Sequence, residues 1–365
     1  MSSNFGKCLE ISIFGESHGP LVGVCIDGLP AGCDIDMEYI NKQMSRRAPG
    51  NDPGATQRKE PDIPVIKTGS YRGKTTGAPL MAVIENTNTR SADYENIELV
   101  PRPSHSDYPA YVKYGGHNDI RGGGHFSGRL TACMVFAGAL CRSILKDYDI
   151  TIGGHVYSIG NAYDDKFDMC EVDKDLLNRL SSEYFAVINE NIKVDMQDII
   201  MLAKKDCNSV GGIIEVAVCG MPAGVGFPMF RGVENVISQA VFAVPAVKGI
   251  EFGAGFDFSC MTGVSGNDQY KMSCNTVKTM TNNNGGILGG ITTGMPIVFR
   301  AAVKPTSSIA TEQRSVNLAT MQNTKLVVKG RHDPCIVPRA LPVIESAAAI
   351  AVFDLLLENG TIKRC

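Results

Sequence analysis

Several patterns that define common protein classes are missing from this 365-residue sequence. It has no tryptophan and no Cys-x-x-Cys pair. No segment approaches the roughly 18 uninterrupted apolar residues that a membrane-spanning helix requires. The N-terminal residues contain no apolar stretch ahead of a cleavage-type motif, so no signal peptide is expected. These absences predict a cytoplasmic protein without a membrane partner.

The 12 cysteines are scattered along the chain, and several lie in apolar stretches. A free thiol in such a stretch packs as a small hydrophobic group. Without a secretory signal, this distribution predicts reduced thiols and not a disulfide framework. Cysteine and histidine do not recur at zinc-finger spacing, so no metal site is predicted.

The charge balance argues against a general affinity for nucleic acid. The net charge is -3, and aromatic residues make up only 7% of the chain. A nucleic-acid binder that uses the glycine-rich string at residues 121–124 is therefore disfavoured, and no nucleic-acid partner is predicted. The sequence also lacks a Gly-x-Ser-x-Gly elbow and a His-Glu-x-x-His motif, which argues against hydrolases of those types.

The hydrophobic content of 44% and the charged content of 20% are typical of a globular protein. No low-complexity linker divides the chain, so residues 1–365 are predicted to form a single domain. Apolar runs predict strands at residues 9–14, 21–27, 79–86, 211–218, 297–303 and 326–329. Helical periodicity and caps predict helices at residues 36–45 (capped by Asp34 or Asp36), 127–146, 235–244 and 342–359, with peripheral helices within 161–206.

Two of these helices have distinctive sequences. The helix at 127–146 is apolar on several sides, which predicts burial within a layered core. The helix at 342–359 is predicted to carry Pro342 in its first turn and to end at Gly360.

We interpret all six histidines as loop residues, and three of them share their loops with acids or arginines. These loops are residues 15–20 with His18, 102–107 with His105, and 329–334 with His332. Histidine exchanges protons near neutral pH, and neighbouring arginines favour an anionic substrate. For any one of them alone, the alternative is a solvated loop histidine without a function.

Three further strings are candidates for binding phosphate or a flat ligand. Residues 121–127 form a glycine-rich turn ahead of a helix, which suits an anion but also suits a tight turn needed only for packing. Glycines at 285–290 would let the backbone approach a ligand closely. Residues 304–308 place one lysine before three hydroxyls, as in a phosphate cradle or a capped turn. Together these strings predict an enzyme for a small, multiply anionic substrate, with histidines as proton donors.

Taken in order, the strings at 15–19, 46–47, 102–108, 121–124, 285–290, 304–308 and 329–335 resemble the chorismate synthase family. The resemblance extends from about Gly6 to Leu357. It implies an α+β fold, a β-α-β sandwich with helices packed between two antiparallel sheets, and a homotetramer.

The resemblance also implies a reaction, the last step of the shikimate pathway. 5-Enolpyruvylshikimate 3-phosphate would lose phosphate and a C6 proton by anti-1,4-elimination to give chorismate, with reduced FMN (FMNH2) required but no net redox change. The alternative is a flavin-binding protein of the same fold without catalysis. Because no dinucleotide fingerprint is visible, we expect an external flavin reductant and not the chain's own NADPH-dependent reduction.

By resemblance, the catalytic residues are His18, which would protonate the departing phosphate, His105, which would protonate the reduced flavin near N1, and Asp333, which would relay a proton with flavin N5. The positions matching substrate-binding residues are Arg47, Arg102, Arg129 and Arg331. The positions matching flavin-binding residues are His125, Phe126, Ser127, Pro245, Ala246, Gly289, Lys304, Pro305, Thr306, Ser307, Ser308 and Arg331.

The sequence departs from the family pattern at four places. His125-Phe126 stands where Arg-Ser is usual, Leu130 where glutamate is common, and Pro53 where a second loop arginine often lies. Ser104 replaces a glycine before His105. The first three departures concern phosphate or flavin contacts, and the last concerns the geometry of a turn.

Overall fold

The computed structural model describes residues 3–49, 62–87, 98–328 and 333–363. Within these residues one layer is a five-stranded antiparallel sheet. In spatial order its strands are β1 (Asn4–Phe5), β2 (Glu10–Gly15), β3 (Leu21–Asp27), β7 (Leu80–Glu85) and β4 (Val65–Thr68). The hairpin of β5 (Ser70–Tyr71) and β6 (Lys74–Thr75) lies between β4 and β7 in the chain.

A second antiparallel sheet, also five-stranded within the described residues, forms the opposite layer. Its strands, in spatial order, are β11 (Val247–Phe252), β16 (Ile297–Val303), β10 (Gly212–Cys219), β8 (Thr151–Ile159) and β9 (Ala162–Tyr163). Three separate hairpins complete the β structure: β12 (Tyr270–Ser273) with β13 (Thr276–Thr279), β14 (Ile287–Leu288) with β15 (Ile291–Thr292), and β17 (Gln313–Asn317) with β18 (Gln322–Leu326).

Two long helices lie between the two sheets. In chain order the helices of the described residues are α1 (Met37–Arg47), α2 (Asp107–Tyr114), α3 (Thr131–Leu145), α4 (Lys174–Leu180), α5 (Glu190–Lys205), α6 (Val233–Phe242), α7 (Gly263–Gly266) and α8 (Val337–Glu358). Helix α3 contacts β2, β3 and β7 of the first sheet, and α8 contacts β8 and β10 of the second. Because α3 and α8 also pack against each other, the predicted α+β fold with helices between two antiparallel sheets is confirmed.

The sequences of α3 and α8 explain why both helices lie inside the sandwich. Helix α3 together with its flanking 3-10 turns (Gly128–Tyr148) and helix α8 are both long and apolar enough to cross a membrane, but their most apolar windows are 83% and 100% buried within the protein. They cross closely where Gly138 meets Ser346, since a Cβ on Gly138 would lie 2.2 Å from the Cβ of Ser346. The apolar surfaces of both helices therefore serve the protein core.

Most of the predicted elements are confirmed, with shifted ends. Helix α1 begins after Asp36, whose side chain accepts a hydrogen bond from the Tyr39 N–H as its N-cap. Helix α3 begins four residues later than predicted, because Ser127 caps a 3-10 turn at Gly128–Leu130 instead of starting the α-helix. The polar segment 161–206 contains α4 and α5, as expected, together with the short strand β9.

Two predicted boundaries are wrong. Helix α8 starts at Val337, with Pro338 in its first turn and Pro342 in its interior, and the hydroxyl of Ser346 donates to the Pro342 carbonyl at 2.6 Å. Burial of the whole apolar face outweighs the loss of one N–H donor at Pro342. The strand predicted at 326–329 instead covers Gln322–Leu326, and Leu326 and Val328 bury against Val100 in a small separate cluster. Lys329 lies outside the described residues.

A buried ion network joins α1, α3, α8 and the second sheet. The Glu345 carboxylate, with no exposed surface, accepts hydrogen bonds from Arg46 at 2.6 Å, Arg142 at 2.9 Å and the Gly154 N–H at 3.0 Å. Burial disfavours its ionised form, but the two guanidinium charges outweigh burial and lower the pKa of Glu345. Arg142 also donates to the Ile152 carbonyl at 2.6 Å. One side chain thus fixes three helices against strand β8.

Removing that carboxylate tests how much the network stabilises the fold. Glu345→Gln keeps the shape of the side chain but leaves two buried guanidinium groups without a counter-charge, so we expect a loss of about 3–5 kcal/mol in the free energy of unfolding. Urea unfolding followed by circular dichroism measures it. The control is Glu190→Gln on α5, whose carboxylate is 58% exposed beside Lys193 and should change stability by about 0.5 kcal/mol or less. Equal midpoints for the two variants would contradict this account.

His155 is not a loop residue, contrary to the sequence-based interpretation. It lies in β8 with no exposed surface, and its ring contacts Asp164 at 2.8 Å through Nδ1 and Glu215 at 3.1 Å through Nε2. Burial opposes the charged ring, but the hydrogen bonds to the two carboxylates outweigh burial and raise the pKa of His155. A turn-rich sequence context (Ile-Gly-Gly-His) concealed a charged group within the second sheet.

This buried charge makes stability depend on pH in a defined direction. A histidine in the unfolded chain has a pKa of about 6.5. Because the pKa of His155 is higher in the folded protein, its charge stabilises the fold fully below about pH 6.5, and this stabilisation is lost as the pH rises from about 6.5 through the native pKa. Above about pH 6.5 the stability difference between the wild type and His155→Gln should therefore shrink as the pH rises. Denaturant unfolding across that range measures it, and a constant difference would disprove the charged state.

Candidate active site

A cavity of about 670 Å³ opens at one end of the sandwich. Its walls come from the C-terminal end of α1, the loop before α2, the turn before α3, the segment between α6 and β11, the segment after β16 and the start of α8. It includes most of the residues predicted from the sequence: Arg47, Arg102, His105, His125, Phe126, Ser127, Arg129, Pro245, Ala246, Lys304, Pro305, Thr306, Ser307, Ser308 and Asp333. Residues distant in the chain thus converge on one volume.

Two predicted residues of the described parts of the chain, His18 and Gly289, do not line the cavity. His18 is buried directly behind Gly122, which is part of the wall. Gly289 lies in the tight turn between β14 and β15 with a φ of 60°. Arg331, like the neighbouring His332, lies outside the described residues.

The glycine turn at 121–126 lies between the two histidines. Its residues Gly122, Gly123 and Gly124 have φ values of 62°, 85° and 55°, which side chains other than glycine rarely adopt. A Cβ on Gly122 would lie 2.7 Å from Nε2 of His18, and one on Gly123 would lie 3.5 Å from Nε2 of His105. Glycine is required at 122 by the His18 ring and at 124 by the Asp119 carbonyl, which a Cβ would approach to 1.9 Å, and at 123 by the left-handed backbone.

His105 belongs to a hydrogen-bonded group with Asp107 and Arg102. Its Nδ1 lies 2.5 Å from Oδ1 of Asp107, and Arg102 contacts both carboxylate oxygens of Asp107, at 2.7 and 2.8 Å. Burial opposes ionisation of this carboxyl, but the hydrogen bonds from Arg102 and His105 hold the pKa of Asp107 well below its usual value. Arg102 also donates to the Ser308 hydroxyl at 3.1 Å, which links this group to the segment after β16.

Arg47 and Arg129 share one buried carboxylate, that of Asp62. Arg47 also donates to the Thr131 hydroxyl at 3.1 Å, and Arg129 to the Asn86 side-chain oxygen at 2.8 Å. Burial raises the pKa of Asp62, but the charges of the two arginines outweigh burial and lower it overall. Asp62 has a φ of 46°, an unfavourable conformation that the two ion pairs offset.

Asp333, at the start of the segment leading into α8, forms an ion pair with Arg339. Arg339 also donates to the Arg47 carbonyl at 3.0 Å. Around the cavity, Arg47, Arg102, Arg129 and Arg339 face the carboxylates of Asp62, Asp107 and Asp333, and Lys248 and Lys304 add two further positive charges. The described part of the cavity therefore carries a moderate net positive charge, which favours an anionic ligand.

The segment after β16 is held in place by its backbone and its lysine. Lys304 donates from its backbone N–H to the Ala246 carbonyl at 2.9 Å and from Nζ to the Ser104 carbonyl at 2.7 Å. Both acceptors belong to residues with left-handed backbones, Ala246 at φ 74° and Ser104 at φ 59°. Ser104 thus adopts the conformation expected of the glycine usual in the family at this position.

The departures at 125–130 have structural explanations. Nδ1 of His125 lies 2.8 Å from the Gly15 carbonyl, and its Nε2 lies 2.6 Å from the Ser3 hydroxyl, so this ring ties the turn to the N-terminal sheet. Phe126 packs against Tyr114 with the ring centroids 6.1 Å apart. Leu130 is buried in the core. Pro53 lies outside the described residues.

The lining suits a flat aromatic cofactor with a phosphate tail beside an anionic substrate. Its volume falls in the range of about 300–1,000 Å³ typical of small-molecule sites. Phe126, Phe242, Val244 and Val343 supply apolar wall, and the hydroxyls and lysine at 304–308 supply donors for phosphate. Among the described residues no group of three metal-ligating side chains is arranged to hold a metal ion.

Four charged residues of the site were not among the predicted site residues: Asp62, Asp107, Lys248 and Arg339. Asp107 lies two residues after His105 in the string at 102–107, and this short spacing is a signal that could have indicated a His–Asp pair. Asp62 and Arg339 act through ion pairs with residues 15 and 6 positions away, for which the sequence offers no periodic signal.

Comparison with known proteins gives a consistent result. The family model of chorismate synthase matches residues 9–357. The chain is 44% identical over 354 residues to chorismate synthase of Thermococcus kodakarensis, covering 97% of both chains. It is 45% identical over 367 residues to that of Lancefieldella parvula, covering 98% of this chain and 96% of the relative. A crystal structure of chorismate synthase superposes with a TM-score of 0.75 at 28% identity, covering 97% and 93% of the two chains.

The requirement for glycine at position 122 can be tested through the stability of the protein. Gly122→Ala would place a methyl group within 2.5 Å of the His18 ring at a φ of 62°, so we expect the free energy of unfolding to fall by about 1–3 kcal/mol. Gly128→Ala, in the same wall with no atom within 4 Å of the added Cβ, is the matched control and should be nearly neutral. Thermal unfolding of both variants measures the difference. Equal stability would show that the turn does not require glycine at 122.

Proposed function

Because the chain belongs to the chorismate synthase family, we propose that it converts 5-enolpyruvylshikimate 3-phosphate to chorismate by anti-1,4-elimination. The reaction breaks a carbon–oxygen bond, releases phosphate and removes the C6 proton, which makes the enzyme a carbon–oxygen lyase. It would complete the shikimate pathway that leads to the aromatic amino acids.

The observation that supports this proposal best is the placement of two histidines on either side of one glycine turn in a positively charged wall. A phosphate leaving group needs a proton, and imidazole supplies one at neutral pH. We assign this role to His18, whose Nε2 edge faces Gly122. His105, on the other side of the turn, would hold a second proton toward the cofactor, and Asp333 would relay the proton that the substrate loses.

The arginines would hold the three anionic groups of the substrate. Arg47 and Arg129 are fixed side by side through Asp62, and Arg102 is fixed through Asp107. A planar guanidinium binds phosphate or carboxylate through two parallel hydrogen bonds, a geometry that lysine cannot provide. We include Arg331 in this group on the basis of the family motif, and we add Arg339 because it lines the cavity beside Asp333.

Reduced FMN, when bound, would lend electron density to cleavage of the carbon–oxygen bond and recover it afterwards, so that the reaction has no net redox change. The residues proposed to hold it are the apolar wall with Phe126, Pro245 and Ala246, and the polar segment from Lys304 to Ser308. His125, Ser127 and Gly289 join this set from the family motif. The hydroxyls of residues 306–308 would bind the flavin phosphate.

Three further properties belong to the proposal. We expect a homotetramer in the cytoplasm, as the family resemblance implies. We expect an external reductant to supply reduced FMN, since the glycine strings of this chain do not match a dinucleotide fingerprint. Steady chorismate formation from oxidised FMN and NADPH, without another protein, would contradict that last expectation.

A second candidate is a flavin-binding protein that retains the fold without catalysis. The hydrogen-bonded group around His105, whose ring lines the cavity, favours the enzyme, because binding a flavin alone requires no proton donor.

An anaerobic assay with chemically reduced FMN and 5-enolpyruvylshikimate 3-phosphate separates the two candidates. We expect chorismate absorbance to rise with reduced FMN but not with oxidised FMN. His18→Ala and His105→Ala should each lower turnover by roughly 10²–10⁴-fold, the usual contribution of a positioned acid. His117→Ala is the control, because His117 is exposed and does not line the cavity. Flavin binding without any turnover by the wild type would favour the second candidate.

A further inference from the structure

We propose that Asp107 is a positioning residue, which fixes the His105 ring with a proton on Nδ1 so that Nε2 is the nitrogen that exchanges protons with a ligand in the cavity. The inference rests on the proposed function for the step that His105 serves. The position of the ring proton, in contrast, is a property of the ligand-free protein and can be measured separately.

The hydrogen bonds of Asp107 determine where the ring proton lies. The carboxylate is 11% exposed at the start of α2 and accepts from the backbone N–H of Arg102 at 3.0 Å, from two side-chain nitrogens of Arg102, and from Nδ1 of His105 at 2.5 Å. An ionised carboxylate can only accept hydrogen bonds. A contact of this length therefore requires the hydrogen on Nδ1.

Arg102 also lies next to Nδ1 of His105, but it favours the ring form without a proton on that nitrogen. Its Nη2 lies 3.0 Å from Nδ1 of His105, and a guanidinium can only donate. Donation from Arg102 would need a lone pair on Nδ1 and would thus place the ring proton on Nε2. In the structure the same Nη2 donates to Asp107 at 2.8 Å. The carboxylate therefore accepts from both Arg102 and Nδ1 of His105, and this fixes the ring in the Nδ1–H form.

The other ring nitrogen remains available for proton exchange. Within the described parts of the chain, Nε2 of His105 has no hydrogen-bond partner, and the ring lines the cavity. Loss of the Nε2 proton from the imidazolium leaves the neutral Nδ1–H ring, and uptake of a proton at the same nitrogen restores it. Both steps leave the contact with Asp107 unchanged, which is the role of a fixed carboxylate beside a catalytic histidine.

The alternative is that Asp107 has only a structural role and holds the Arg102 side chain in place. In that case its removal would disturb the orientation of a substrate-binding guanidinium and would raise KM. If Asp107 instead fixes the tautomer, its removal should lower kcat, because the neutral His105 ring would then carry its proton on Nε2 and not on Nδ1.

The first test is nitrogen-15 NMR of histidine-labelled, ligand-free protein at a pH where the ring is neutral, with His105→Ala used for assignment. In the wild type, Nδ1 of His105 should be protonated and Nε2 should not. In Asp107→Asn the order should reverse, since Arg102 then donates to Nδ1. Asp34→Asn, whose carboxylate pairs with Lys74 at the surface, is the matched control and should leave the His105 signals unchanged. An unchanged tautomer in Asp107→Asn would overturn the proposal.

The second test is kinetic. Asp107→Asn should lower kcat by about 10²-fold or more with KM within about threefold of the wild type. In the His105→Ala background the same substitution should change kcat by less than about twofold, because it acts through the ring. An effect on KM alone, or a full additional loss in that background, would contradict the proposal. Absence of chorismate formation by the wild type would overturn the proposed function, and the NMR comparison would then decide the role of Asp107.

Discussion

The structure depends on one carboxylate that lies where water cannot reach it. Glu345 is in the middle of α8, the 22-residue helix at the centre of the sandwich, and it compensates Arg46 of α1 and Arg142 of α3. A buried charge is tolerated only when its partners surround it, so three helices must meet in one arrangement for this group to be satisfied. Apolar packing alone would allow the helices to slide, since small residues such as the alanines of α8 fit in several registers.

This constraint reaches the cavity through adjacent residues. Arg46 points into the core network, and the next residue, Arg47, lines the cavity and shares Asp62 with Arg129. Helix α8 connects the same two regions, because its first turns line the cavity as far as Val343 and Glu345 follows two residues later. Its last turns carry Asp354, which accepts from the N–H groups of Lys7, Cys8 and Leu9 and so fixes the start of the first sheet. The positions of the candidate binding groups therefore follow from the core.

Local sequence patterns predicted the elements whose burial follows their own periodicity. Strands β3 and β16 have the predicted bounds, and the all-round apolar character of α3 indicated its place between layers. Predictions were wrong where a distant partner overrides local preference. Pro342 lies within a helix because packing of α8 favours it, and His155 lies within a strand because Asp164 and Glu215 compensate its charge. The histidine, arginine and glycine strings identified most of the cavity wall, whereas Asp62 and Arg339 depend on tertiary ion pairs that no local pattern records.

The carboxylate shared by Arg47 and Arg129 also has an evolutionary consequence. If one arginine were lost, Asp62 would neutralise the other completely, and the positive charge that the group of three contributes beside the cavity would disappear. If Asp62 were lost, two like charges would repel each other in a buried place. Selection therefore acts on the three residues as one epistatic unit. A lineage could replace them together, but each single step would pass through a less fit intermediate.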